Sequence, residues 1–131
     1  MFEKNIVKVK VFSDLIVWQR GHRLVLEIYQ ITKEFPKDET FGLTSQIRRA
    51  SVAFTSDLSE GFSRSSAKDK IRFYFMALGS LTEAQNQLFI SKDLEYISID
   101  KFNQLFKETI ELHKMTNGLI KSTKNFLQLK P

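Results

Sequence analysis

The sequence predicts an all-α fold, an antiparallel up-down-up-down four-helix bundle in one domain, and three observations carry that expectation. Apolar residues recur at three- and four-residue spacing along four stretches of about 20–28 residues each. Turn formers are scarce, with five Gly and two Pro in 131 residues. The connections between the periodic stretches are short, and short connections make successive helices antiparallel neighbours. A chain of this length buries roughly 65–70% of its unfolded surface, so one core suffices without disulfides or structural metal.

Residues 1–12 read as an N-terminal arm. Lys4, Lys8 and Lys10 alternate there with Ile6, Val7, Val9 and Val11, the period of a strand with no partner strand to pair with. The bundle domain is 13–127, and 128–131 is a short C-terminal tail. Helix 1 is expected over about 13–34, with Ser13 as its cap and Leu15, Trp18, His22, Val25, Ile28, Ile31 and Phe35 on its apolar stripe. Pro36 ends it by disfavouring helical geometry in Phe35. Helix 2 follows Lys37-Asp38-Glu39 and carries Leu43, Ile47, Ala50, Phe54, Leu58 and Phe62, ending at Gly61 and Ser63-Arg64-Ser65-Ser66. Ser66 caps helix 3 through the amide near Asp69, with Ile71, Phe75, Leu78, Leu81, Leu88 and Leu94 as its core positions. Ser98 caps helix 4, which carries Phe102, Leu105, Phe106, Thr109, Leu112, Leu119 and Phe126.

The apolar surface exceeds what one bundle interior needs. Phe73-Tyr74-Phe75-Met76 are consecutive in helix 3 and point all round its axis. Leu24, Leu26 and Tyr29 widen helix 1, and Ile110 and Ile120 widen helix 4. This excess predicts self-association. Gly79 inside helix 3 costs about 1 kcal/mol relative to Ala, which predicts close approach by another helix.

Polar groups interleave with the core of helix 2. Arg49, Ala53, Asp57 and Glu60 share a face, Gln46 stands one turn earlier, and Ser80 and Glu83 occupy a comparable place on helix 3. Buried carboxylates need partners, and Arg48 and Arg49 are the nearest, so Arg48, Arg49, Asp57, Glu60, Ser80 and Glu83 are expected to form a structural polar network.

Several chemistries are excluded. Zero Cys removes disulfides, thiolate catalysis and Cys/His zinc sites. A carboxylate-bridged dimetal centre needs Glu-x-x-His motifs, but Ser63, Asn86, Glu111 and Lys114 stand three residues after Glu60, Glu83, Glu108 and Glu111. The two histidines, His22 and His113, are far apart in sequence, no Gly-x-Ser-x-Gly elbow occurs, and no glycine-rich phosphate loop is present. The expectation is a non-enzyme with no catalytic residue, metal or cofactor. No run approaches 18 apolar residues and Met1-Phe2-Glu3-Lys4-Asn5 lacks the apolar core of a signal peptide, which predicts a cytoplasmic protein without membrane association.

What remains is charge. Twenty Lys and Arg against 15 Asp and Glu leave +5, which suits a polyanionic partner. Arg64, Lys68, Lys70 and Arg72, at a loop and helix start rich in hydroxyls and free amides, are the leading candidates to hold phosphate. Lys121, Lys124 and Lys130 form a second cluster, and the Lys4/Lys8/Lys10 arm a third.

Five ordered motifs add a family resemblance over about residues 12–120: Phe12-Ser13-Asp14-Leu15-Ile16-Val17-Trp18, Phe35-Pro36-Lys37, Gly42-Leu43-Thr44-Ser45-Gln46-Ile47-Arg48-Arg49-Ala50, Glu60-Gly61 and Gly79-Ser80-Leu81-Thr82-Glu83. The chain resembles the four-helix bundle proteins encoded in intervening sequences of bacterial 23S ribosomal RNA genes. That resemblance implies a homopentameric, barrel-like ring without known catalysis. The related accessory variability proteins of diversity-generating retroelements share that architecture and engage nucleic acid and a reverse transcriptase through a basic surface. By this similarity the expected partners are further copies of the chain, RNA or DNA, and a protein such as a reverse transcriptase; the alternative is a protein-interaction scaffold without nucleic acid. The family usually carries Asn-Ile-Ala-Glu-Gly where Asp57-Leu58-Ser59-Glu60-Gly61 stands, and Pro where Thr55 stands. Asp57 therefore adds a charge, for which pairing with Arg49 is the expectation.

Overall fold

The computed structural model describes residues 8–129, and for 126–129 only the backbone. Four helices follow in order: α1 Ile16–Thr32, α2 Leu43–Ser63, α3 Ala67–Asp93 and α4 Ile99–Leu129, with 3-10 turns at Phe12–Asp14 and Lys37–Glu39. No strand occurs among the described residues, and Lys8–Lys10 have no regular structure. Lys4, Ile6, Val7, Phe126 as a core side chain, Lys130 and the end of the tail lie outside what is described.

Cross-helix contacts establish the topology. Gly21 of α1 lies against Phe54 of α2, and Arg48 of α2 reaches back to Thr32 of α1. Asp57 of α2 meets Ser80 of α3, Gln85 of α3 meets Thr109 of α4, and Arg20 of α1 meets Glu108 of α4. Arg49 of α2 also meets Glu83 of α3, Phe89 of α3 meets Phe102 of α4, and Lys101 of α4 approaches Glu27 of α1. For each pair of helices the contacts descend one while ascending the other, so all sequential neighbours are antiparallel and α1 closes the bundle against α4. The fully buried seam comprises Ile28, Ile47, Phe54, Leu58, Leu81, Leu88, Leu105 and Leu112, with Thr109 and Thr116 bonding their hydroxyls to carbonyls of their own helix.

The helix starts divide in two. Ser66 Oγ accepts the Asp69 amide at 3.1 Å and Ser98 Oγ accepts the Lys101 amide at 3.0 Å, the capping geometry expected of both. Ser13 does not cap α1. The 3-10 turn Phe12–Asp14 intervenes, Leu15 occupies the cap position, and Asp14 instead accepts the amides of Lys10 and Val11 at 2.9 and 3.1 Å. Those two donors hold its carboxyl below the usual aspartate range. Between α3 and α4 the chain reverses through Glu95 at φ 62°, with the Tyr96 amide bonded to the Ser91 carbonyl.

Three expected core registers shift. In α1 the buried row is Val17, Gly21, Leu24, Val25 and Ile28, so Leu24 is core, whereas His22 is exposed and stacks on Trp18 at 4.8 Å. In α3 the buried row is Phe73, Tyr74, Ala77, Leu81, Ala84 and Leu88, and Phe75 and Leu94 are exposed. This helix is wedged between α2 and α4, so small Ala77 and Ala84 mark its packed side better than its largest residues do. In α4, Ile120 is buried and only Ile110 of the pair faces out.

Close approach falls at other glycines than Gly79. A Cβ on Gly61 would stand 2.6 Å from the Tyr74 ring, and one on Gly21 would stand 2.7 Å from Phe54. A Cβ on Gly79 would meet nothing within 4 Å, so no helix of the same chain crosses there.

Candidate nucleic-acid interface

Antiparallel packing collects distant cations at one end of the bundle. The start of α1, the α2–α3 turn and the last turns of α4 share that end. Across residues 8–14, 60–72 and 119–125 it holds eight Lys and Arg against three acids. The opposite end, residues 33–39 and 92–101, holds four cations against six acids. The excess positive charge of the chain is thus concentrated at one end, which focuses the field more than an even spread would.

The α2–α3 turn is organised around an aromatic ring. Arg64 and Arg72 place their guanidiniums over Phe73, at 4.5 and 4.6 Å from its centroid. Arg64 also pairs with Glu60 at 3.1 Å, and Arg72 approaches Asp69 at 3.8 Å. Both pairs are exposed and hold little energy against a competing phosphate. Phe73 was not among the expected site residues, because its neighbours at 64 and 72 meet only once the turn has folded.

Lys70 plays a different role from the one expected. Its Nζ donates to the Phe62 carbonyl at 2.6 Å, closing the C-terminal turn of α2, and burial lowers its pKa below the usual lysine range. Lys68 is exposed and unpaired among the described residues. Lys121 and Lys124 are exposed on α4, and Lys124 Nζ sits 5.6 Å from the Phe75 ring, which brings the second cluster beside the first turns of α3. Lys8 and Lys10 are exposed where the chain leads into the same end.

The six-residue polar network expected on α2 and α3 resolves into separate contacts. Arg49 pairs with Glu83 and also donates to Gln46 Oε1 at 2.9 Å, while Glu83 accepts from Gln87 Nε2 at 3.2 Å. Asp57 accepts from Ser80 Oγ at 3.3 Å. Glu60 turns outward to Arg64. Arg48 donates its Nε to Thr32 Oγ1 at 2.8 Å and lies 4.4 Å over the Tyr29 ring. Asp57 does not pair with Arg49, because eight helical residues separate them by about 12 Å along the axis.

Asp57 carries a pH signature. Burial raises its carboxyl above the usual aspartate range, the Ser80 hydroxyl opposes the rise, and the Glu60 charge adds to it. A raised folded-state pKa means that ionisation costs stability, a cost present at neutral pH and relieved as pH falls through that pKa toward 3.8. Asp57→Asn, which keeps the acceptor for Ser80, is expected to raise Tm by about 2 °C at pH 7, with the gain shrinking toward pH 4 in thermal melts.

The two histidines have separate surroundings: His22 stacks on Trp18, and His113 Nδ1 contacts Asn117 Nδ2 at 3.2 Å. Among the described residues no group of three or more His, Asp or Glu stands close enough to hold a metal ion. No described helix is long and apolar enough to cross a membrane.

An antiparallel four-helix bundle with its excess of positive charge at one end defines the class: a small all-α module whose distinctive feature is its surface. Within that class the chain belongs to the 23S rRNA-intervening sequence protein family, whose model matches residues 13–118. A similar solved structure is a protein of unknown function from the S23 ribosomal protein family from Bacteroides thetaiotaomicron. It is 20% identical, the match covers 81% of this chain and 96% of that one, and the TM-score is 0.75, a likeness of fold. No curated protein matches the chain.

Proposed function

We propose that the chain is a non-catalytic, cytoplasmic bundle that assembles into a homopentameric ring and binds RNA or DNA through its basic end. The concentration of eight cations against three acids at that end is the observation that carries the reading. Arg64, Lys68, Arg72, Lys121 and Lys124 supply flexible or weakly paired cations of the kind that neutralise phosphates, and Lys70 supports the turn beneath them. The contacts are to backbone and shape, since the sequence carries no identifiable base-reading motif.

Self-association draws on the apolar side chains left outside: Leu26, Phe75, Met76, Ile90 and Ile110 are all at least 39% exposed, and Phe41, in the α1–α2 connection, is 94% exposed. A closed ring repeats the basic end around one axis and multiplies its charge.

Fluorescence anisotropy with a structured RNA and with duplex DNA, run from about 50 to 200 mM salt, tests the reading. Affinity should fall at least about 100-fold over that range as counterion release is suppressed. Light scattering on the same sample should give a mass near five times 15.3 kDa. A 15.3 kDa species refutes the ring, and absence of salt-sensitive binding at micromolar protein would leave a protein-interaction scaffold instead.

A further inference from the structure

The outer face of α3 is uncharged between Arg72 and Asp93. Its exposed residues there are Phe75, Met76, Phe89 and Ile90, with Gly79, Thr82 and Asn86 between them. Glu83, at the edge of this face, is held by Arg49. An outward helix face normally meets water with charged and polar side chains. The other three helices do so, exposing Arg23 on α1, Arg49 on α2, and Lys107, Lys114 and Lys121 on α4. Residues 75, 79, 82, 86 and 89 recur at spacings of four and three, so they form one seam, about 32 Å long from Arg72 to Asp93.

This seam is complementary to itself. Gly79 stands near its middle, exposed, and a Cβ there would meet nothing within 4 Å. A glycine inside a helix weakens it, and no packing within the chain compensates here; the notch it leaves admits a second backbone. The ends of the seam carry opposite charge, with exposed Lys68 and Arg72 at the start and exposed Asp93 at the finish. Two such helices side by side in opposite directions set each start against the other's finish. The whole bundle repeats that arrangement: its end with eight cations and three acids then lies beside the end with four cations and six acids. Parallel pairing would set like against like. Phe89 is already fixed by the Phe102 and Phe106 rings at 4.9 and 5.2 Å, so it is presented with little freedom left to lose.

We propose that α3 pairs antiparallel with the α3 of a second copy, across a two-fold axis near Thr82. Phe75 then meets the partner's Ile90, Gly79 the partner's Asn86, and Arg72 the partner's Asp93. The contact closes at two copies, so it goes beyond the ring, which needs a head-to-tail contact, and stands without it. A face one helix wide lies at the low end of interface sizes, so the pairing is reversible and depends on concentration.

The chain has no Cys, so single cysteines report the contact directly. Under mild oxidation Thr82→Cys is expected to form a disulfide-linked pair at least about tenfold faster than Gly118→Cys, which is exposed on α4 and measures random collision. Antiparallel order sets Phe75 and Ile90 each more than about 20 Å from its own counterpart. Phe75→Cys and Ile90→Cys should therefore stay unlinked alone and link when mixed. Asn86→Glu, which places an unpaired charge in the seam, should slow linking of Thr82→Cys at least about tenfold with circular dichroism unchanged. Linking of Thr82→Cys no faster than the collision control, linking of Phe75→Cys or Ile90→Cys alone as readily as in the mixture, or linking indifferent to Asn86→Glu overturns the pairing. A linked pair in a sample whose mass never reaches five copies upholds the pairing without the ring; five copies with no link upholds the ring and overturns the pairing.

Discussion

Gly61→Val is expected to lower Tm by roughly 10–15 °C, a loss of about 3 kcal/mol for a domain of this size. Gly61 is buried where the end of α2 meets α3. A Cβ there would lie 2.6 and 2.9 Å from Tyr74 ring carbons and 3.0 Å from Phe73 Cβ, and two γ-methyls enlarge the clash. Tyr74 is 2% exposed and cannot swing away. Phe73 is the ring on which Arg64 and Arg72 rest, so the strain reaches the basic turn directly. Gly79→Ala provides the contrast. Open space surrounds that position, so the better helix propensity of Ala should raise stability by up to about 1 kcal/mol. Paired denaturant titrations read both effects, and equal midpoints for the two variants would contradict the packing described.

Replacing Lys68, Lys121 and Lys124 together by Gln is expected to flatten the salt dependence of nucleic-acid binding by about 2 log units per decade of salt and to reduce affinity at low salt by about 100-fold or more. None of the three is ion-paired among the described residues, so their removal leaves no stranded carboxylate. Lys124 loses only its contact with the exposed Phe75 ring, and Tm should stay within about 2 °C of the wild type, as for surface substitutions generally. Lys70 is omitted deliberately: its bond to the Phe62 carbonyl would confound binding with folding.

The helices and two of their caps were legible because each rests on local chemistry. Ser66 and Ser98 act on amides three residues away. The start of α1 was not, since Asp14 competes with Ser13 by accepting two amides behind it. The register of α3 was hidden by four consecutive large apolar residues, only the first two of which the neighbouring helices bury. The polar contacts show the same limit. Periodicity identified the face shared by Arg49, Asp57 and Glu60, whereas partner choice depends on height along the bundle, which assigned Glu83 to Arg49 and Ser80 to Asp57. The clusters at 64–72 and 121–124 were each visible, but their meeting is a consequence of antiparallel order. Tyr29 read as surplus apolar surface and turns out to support Arg48.

The most direct test of the basic end compares two variants of equal net charge. Lys68, Lys121 and Lys124→Gln neutralises one end; Lys33, Lys37 and Lys101→Gln neutralises the same number of cations at the other. Measured against one RNA at fixed salt, the first should lose affinity by about 100-fold while the second stays within about threefold of the wild type. Equal losses in the two variants would show that net charge alone governs binding, and would contradict an interface placed at one end of the bundle.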